Sequence, residues 1–100
     1  DFVYVDDAVR AIIAAAEAGL RGADVVNICT GVPVTVANVL EQLERATGRK
    51  FDVHFDESRD AGVKISVGLP DKAREILGFQ TSVGFSEGAS RMMAELSAPA

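Results

Sequence analysis

Asp52, His54 and Asp56 alternate along Phe51-Asp52-Val53-His54-Phe55-Asp56, and Ser58 follows two residues later. In an extended chain, residues two apart share a face. A carboxylate there could orient an imidazole that activates a hydroxyl. No oxyanion-hole element accompanies the set, and as a metal site it lacks a second, distant group of ligands. These residues therefore read as the wet side of a strand whose other side carries Phe51, Val53 and Phe55. Cys29, at the end of an apolar run, reads as a small buried hydrophobe. A nucleophilic cysteine would want a base or a positive helix terminus nearby, and the helix start at Thr35 is the only candidate. Arg59 stands apart, in the polar loop from Glu57 to Gly62. A loop arginine can grip a phosphate through two parallel N–H···O bonds. The competing reading is a plain surface ion pair with Glu57 or Asp60.

The elements that must position these residues are legible from periodicity. Val25-Val26-Asn27-Ile28-Cys29-Thr30-Gly31 is a short apolar run ending in a small polar turn, which reads as a buried strand between two helices. Phe2-Val3-Tyr4-Val5 reads as an earlier strand. Asp6 or Asp7 is expected to cap the helix that follows, with Val9, Ile12, Ile13, Ala16 and Leu20 at core-facing spacing. The rest of that helix is mostly alanine, so little of its circumference is marked for water. The spacing predicts a second helix over Val36 to Thr47, capped by Thr35 and ended by Gly48. Val63, Ile65 and Val67 alternate in a further extended stretch. A third helix begins at Pro70 and ends at Gly78, and a fourth follows Gly84, with Glu87 placed for a capping box.

Composition narrows the classes. One hundred residues with 48% hydrophobic content suit one modest domain. A net charge of −5 argues against a nucleic-acid partner, which would need a basic face. One cysteine excludes an internal disulfide and fits a cytoplasmic location. No apolar run approaches the roughly 18 residues that span a bilayer. The chain opens directly in an expected strand without an initiator Met, which suggests a piece of a longer polypeptide.

Taken in order, Asp1-Phe2-Val3-Tyr4-Val5-Asp6-Asp7-Ala8-Val9, Val26-Asn27-Ile28-Cys29-Thr30-Gly31, Asp71-Lys72-Ala73-Arg74-Glu75-Ile76-Leu77-Gly78-Phe79 and Glu87-Gly88 resemble the C-terminal part of the NAD-dependent epimerase/dehydratase family. These are the extended short-chain dehydrogenases, which act mainly on nucleotide sugars. The resemblance implies an α/β fold in which residues 1–31 supply a strand-helix-strand end of a Rossmann-like parallel sheet. Residues 32–100 would form the small α/β substrate-binding subdomain. Arg59 would contact the substrate diphosphate, with Asn27 and Thr30 near the same cleft in a mainly structural role. Three positions depart from the family pattern: Cys29 replaces a usual glycine, Leu69 a usual aspartate, and Gly62 a usual acidic residue.

The family's glycine-rich dinucleotide turn and its Tyr-x-x-x-Lys pair are absent from this chain. The resemblance therefore implies a segment without catalytic residues of its own. NAD or NADP would be held by an N-terminal dinucleotide-binding domain of the same enzyme, and the substrate would be a UDP- or dTDP-sugar. A homodimer is compatible with this reading; nucleic acid and membrane are not expected as partners. Two alternatives stay open: a reductase of the same family acting on a substrate other than a sugar, and a non-catalytic α/β interaction module.

Overall fold

The computed structural model describes residues 1–60 and 62–98. Four helices follow one another: α1 (Val5–Glu17), α2 (Val36–Thr47), α3 (Asp71–Leu77) and α4 (Phe85–Ser97). The boundaries of α2 follow from local chemistry. Thr35 Oγ1 accepts the Asn38 N–H at 3.1 Å, and the Asn38 side chain accepts the Thr35 N–H at 3.3 Å, closing a reciprocal capping box. Gly48 ends the helix in the left-handed conformation, at φ 69°. α3 ends the same way at Gly78, and Phe79 folds back into the core. At α4, Gly84 is the cap but Glu87 does not form the expected box. Glu87 instead pairs with Arg91 at 2.6 Å, one turn further on.

α1 packs on α3, and α2 packs on α4. Ala11, Ala73 and Phe79 form the core beneath α1, with Val26, Ile28 and Leu77 at its margin. The two alanines allow the helices to approach closely. The Arg10 guanidinium lies 5.2 Å from the centre of the Phe79 ring and covers it. The two helix pairs are joined by aromatic residues from the start of the chain. Phe2 meets Phe85 with ring centres 5.2 Å apart. Tyr4 lies against Gly88, where an added Cβ would sit 3.0 Å from the ring.

The expected strands are not formed among the described residues. Val5 already belongs to α1, and Tyr4 before it is extended, at φ −74° and ψ 145°. The run 25–28 keeps the alternation of a strand, with Val26 and Ile28 turned inward and Val25 and Asn27 outward. A strand also needs a neighbour that exchanges backbone hydrogen bonds with it. Among the described residues none of the extended segments has such a partner. The same holds for the stretches around 51–56 and 63–67. The end of a parallel sheet is therefore not seen among the described residues.

α1 is also turned away from its expected orientation. Asp7 and Ala11 face the core, whereas Val5, Val9, Ile12 and Ile13 are open, Ile12 at 70% exposure. A helix apolar nearly all round has two faces to bury. Its alanine face fits closely on α3, and no described residues cover the bulkier one. The radius of gyration is 16.7 Å, against about 13 Å for a compact domain of this length.

Candidate functional site

Two carboxylates near the start of the chain flank a cleft with polar and aromatic walls. Asp7, expected as a helix cap, is fully buried at 0% exposure. It accepts the Val83 N–H at 3.0 Å, and the Ser82 N–H and hydroxyl at 3.1 Å. Arg10 completes the set through Nη2. Burial alone would push the Asp7 carboxyl up. The Arg10 guanidinium, the Val83 and Ser82 N–H groups and the Ser82 hydroxyl outweigh that and hold it below the ordinary carboxylate value.

Asp1 does the same on the other side. Its Oδ1 accepts the Thr30 N–H at 3.0 Å and the Thr30 hydroxyl at 2.7 Å. Its Oδ2 accepts the N–H groups of Gly31 at 2.9 Å and Gly68 at 3.1 Å. Two glycines make this junction sterically feasible. A Cβ at Gly68 would lie 2.5 Å from Cys29 Sγ, and Gly31 is left-handed at φ 77°, with Pro70 packed against it.

Between the two clamps lies a cleft of about 320 Å³, with Phe2 and Phe85, Thr30, Val32 and Val34, and the stretch from Gln80 to Gly84 around it. Its aromatic rings offer a stacking surface, and Gln80, Thr81 and Ser82 offer hydrogen bonds. Such a wall can hold a ligand with a ring and hydroxyls, but it presents no general base or nucleophile.

The residues singled out from the sequence are only partly brought together. Thr30 lines this cleft, with its hydroxyl directed to Asp1 and accepting the Val32 N–H at 3.0 Å. Asn27 is exposed beside the core and does not line the cleft. Arg59 lies apart on its loop, its side chain 87% exposed, with Nε 3.8 Å from Asp56. Among the described residues its terminal nitrogens have no hydrogen-bond partner. Asp56 is occupied by the hydroxyl and N–H of Ser58, which hold its carboxyl below the ordinary value. His54 faces Asp52 at 3.4 Å in open solvent. Asp52, His54, Asp56 and Ser58 thus divide into two surface pairs. Cys29 is buried, and among the described residues no group of three metal-ligating side chains is gathered. No described helix is long and apolar enough to cross a membrane.

The sequence reading missed Asp1 and Ser82 as cleft-building residues and assigned Asp7 the wrong partner. Only the pair Asp6-Asp7 signalled that a carboxylate mattered there, and nothing in the spacing pointed to Val83, 76 positions away.

The chain is similar to UDP-sugar epimerases. It is 29% identical over 92 residues to a UDP-glucuronate 4-epimerase of Thermodesulfobacterium geofontis, covering 91% of this chain and 28% of the relative. It is 34% identical over 89 residues to a UDP-glucose 4-epimerase of Rhizobium leguminosarum bv. trifolii, covering 87% of this chain and 27% of the relative. A UDP-glucose 4-epimerase of Rhizobium meliloti is 32% identical over 82 residues, which is 80% of this chain and 25% of the relative. The chain thus spans about a quarter of the length of the curated relatives it matches. No family model and no solved structure matches it.

Proposed function

We propose that this chain is the substrate-binding part of an NAD(P)-dependent nucleotide-sugar epimerase or dehydratase, with residues 1–31 meeting the dinucleotide-binding sheet and residues 32–100 forming the substrate subdomain. The observation that carries the reading is similarity to UDP-sugar 4-epimerases along 80–91% of the chain. The structure adds physical support. The open face of α1 and the ladderless run 25–29 are what remains of a sheet-flanking unit without its sheet. The N-terminal dinucleotide-binding domain is the partner that would cover both. The substrate is a UDP- or dTDP-sugar, the protein works in the cytoplasm, and pairing of two subunits is compatible with the arrangement.

In this reading Arg59 takes the substrate diphosphate, where its terminal nitrogens can make two parallel charged hydrogen bonds. Thr30 shapes the cleft wall, and Asn27 takes a mainly structural role beside it. The cofactor, NAD or NADP, supplies transient oxidation of the sugar; this chain's residues bind and orient the nucleotide. Arg59→Ala in the full-length protein is expected to raise KM for the UDP-sugar about tenfold or more. An unchanged KM would remove Arg59 from the site. A second reading, a non-catalytic interaction module, draws on the same open α1 face, and it predicts no affinity for UDP.

A further inference from the structure

We propose that Asp1 is a positioning residue for Arg59, setting where the arginine's loop rejoins the body of the protein; this rests on the reading of Arg59 as a diphosphate contact. Arg59 is held by little of its own, since its one described ion pair spans 3.8 Å and its side chain is 87% exposed. Its location is therefore set by the anchors of the segment that carries it. Upstream, Glu44 on α2 accepts the Phe51 N–H at 3.4 Å and the Lys50 ammonium at 3.0 Å. Downstream, the Gly68 N–H donates to Asp1 Oδ2 at 3.1 Å. Between these anchors the side-chain hydrogen bonds are local, Ser58 to Asp56 and Gly62 to Asp60, and close to the downstream anchor the Asp1 backbone nitrogen donates to the Ser66 carbonyl at 2.9 Å.

The downstream anchor is the more demanding of the two. One carboxylate joins Gly68 to Thr30 and Gly31, using both oxygens against three N–H groups and a hydroxyl. An amide cannot replace it, because its NH2 would face a donor whichever way it turned. Gly68 has no freedom to shift toward Cys29, whose Sγ already occupies the space a side chain would need. Asp1 thus registers the end of the Arg59 loop against the Thr30–Gly31 turn.

The test is a double-mutant cycle on UDP binding by the full-length protein, measured calorimetrically for the native form, Asp1→Asn, Arg59→Ala and the double variant. Asp1→Asn is expected to weaken UDP binding about fivefold when Arg59 is present and by less than about twofold when it is absent. Equal losses in both backgrounds, or no loss with Arg59 present, would overturn the proposal, because a purely structural role does not depend on Arg59. If the Asn variant does not fold, Thr30→Val removes one of the four donors, and the same coupling is expected at about twofold; no coupling overturns the proposal. Hydrogen exchange at Gly68 separates the two readings. Native protein that ignores UDP overturns the diphosphate role of Arg59 and this inference with it. Native protein that binds UDP but whose Gly68 exchanges no faster in Asp1→Asn overturns the clamp alone.

Discussion

The Asp7 carboxylate accepts the backbone N–H of Val83 at 3.0 Å, linking the first turn of α1 to the approach to α4 across 76 positions of sequence. Ser82 and Arg10 share the same buried group. Removing the carboxylate strands these donors together. Asp7→Ala is expected to cost about 3 kcal/mol, most of it from buried N–H groups left without an acceptor. Urea unfolding followed by circular dichroism would measure the change in midpoint.

The same carboxylate sets an acid limit. Its folded value lies below the usual one, and an unfolded aspartate titrates near about 3.9. The stabilisation is therefore complete above that value and is lost as pH falls through the lower folded value. Native protein should lose stability below about pH 4, and Asp7→Asn should lose less of it over the same range. Equal acid sensitivity in the two proteins would place the effect in other carboxylates. Asp24 and Glu44 are lowered by Lys72 and Lys50, but both lysines and Asp24 are exposed, and such pairs contribute little.

Thr35 is a simpler case. Its hydroxyl accepts the Asn38 N–H and opens α2. Thr35→Ala should cost about 1 kcal/mol. Thr35→Ser, which keeps the oxygen, should restore most of it in the same unfolding experiment.

Gly68 and Cys29 are predicted to behave as a coupled pair. A methyl group at residue 68 would lie 2.5 Å from Cys29 Sγ, so Gly68→Ala should cost about 1–3 kcal/mol by overpacking. Adding Cys29→Gly should recover part of that loss. Two independent, additive losses would show that the contact does not limit the approach.

Ile12 tests what lies over α1. At 70% exposure, Ile12→Glu in an uncovered helix should change stability by no more than about 0.5 kcal/mol. If the dinucleotide-binding domain covers that face, the same change in the full-length protein should cost about 2 kcal/mol or more. Thermal unfolding of the full-length protein distinguishes the two.

Local chemistry in the sequence determined the helices and their limits. Thr35 with Asn38, Gly48 and Gly78 act through atoms only a few residues away, so α2 and α3 were legible without a fold. The apolar period of α1 was legible too, but which of its two faces turns inward was not, because alanine packs closely only against a particular neighbour. The extended runs kept their alternation without becoming strands, since a strand depends on a second segment to bond with. Arg59 could be singled out by residue type and loop context, whereas the clamps at Asp1 and Asp7 could not. Tertiary structure alone decided those, because a carboxylate finds its donors by distance in space, and Gly68 and Val83 become neighbours of Asp1 and Asp7 only when the chain has folded.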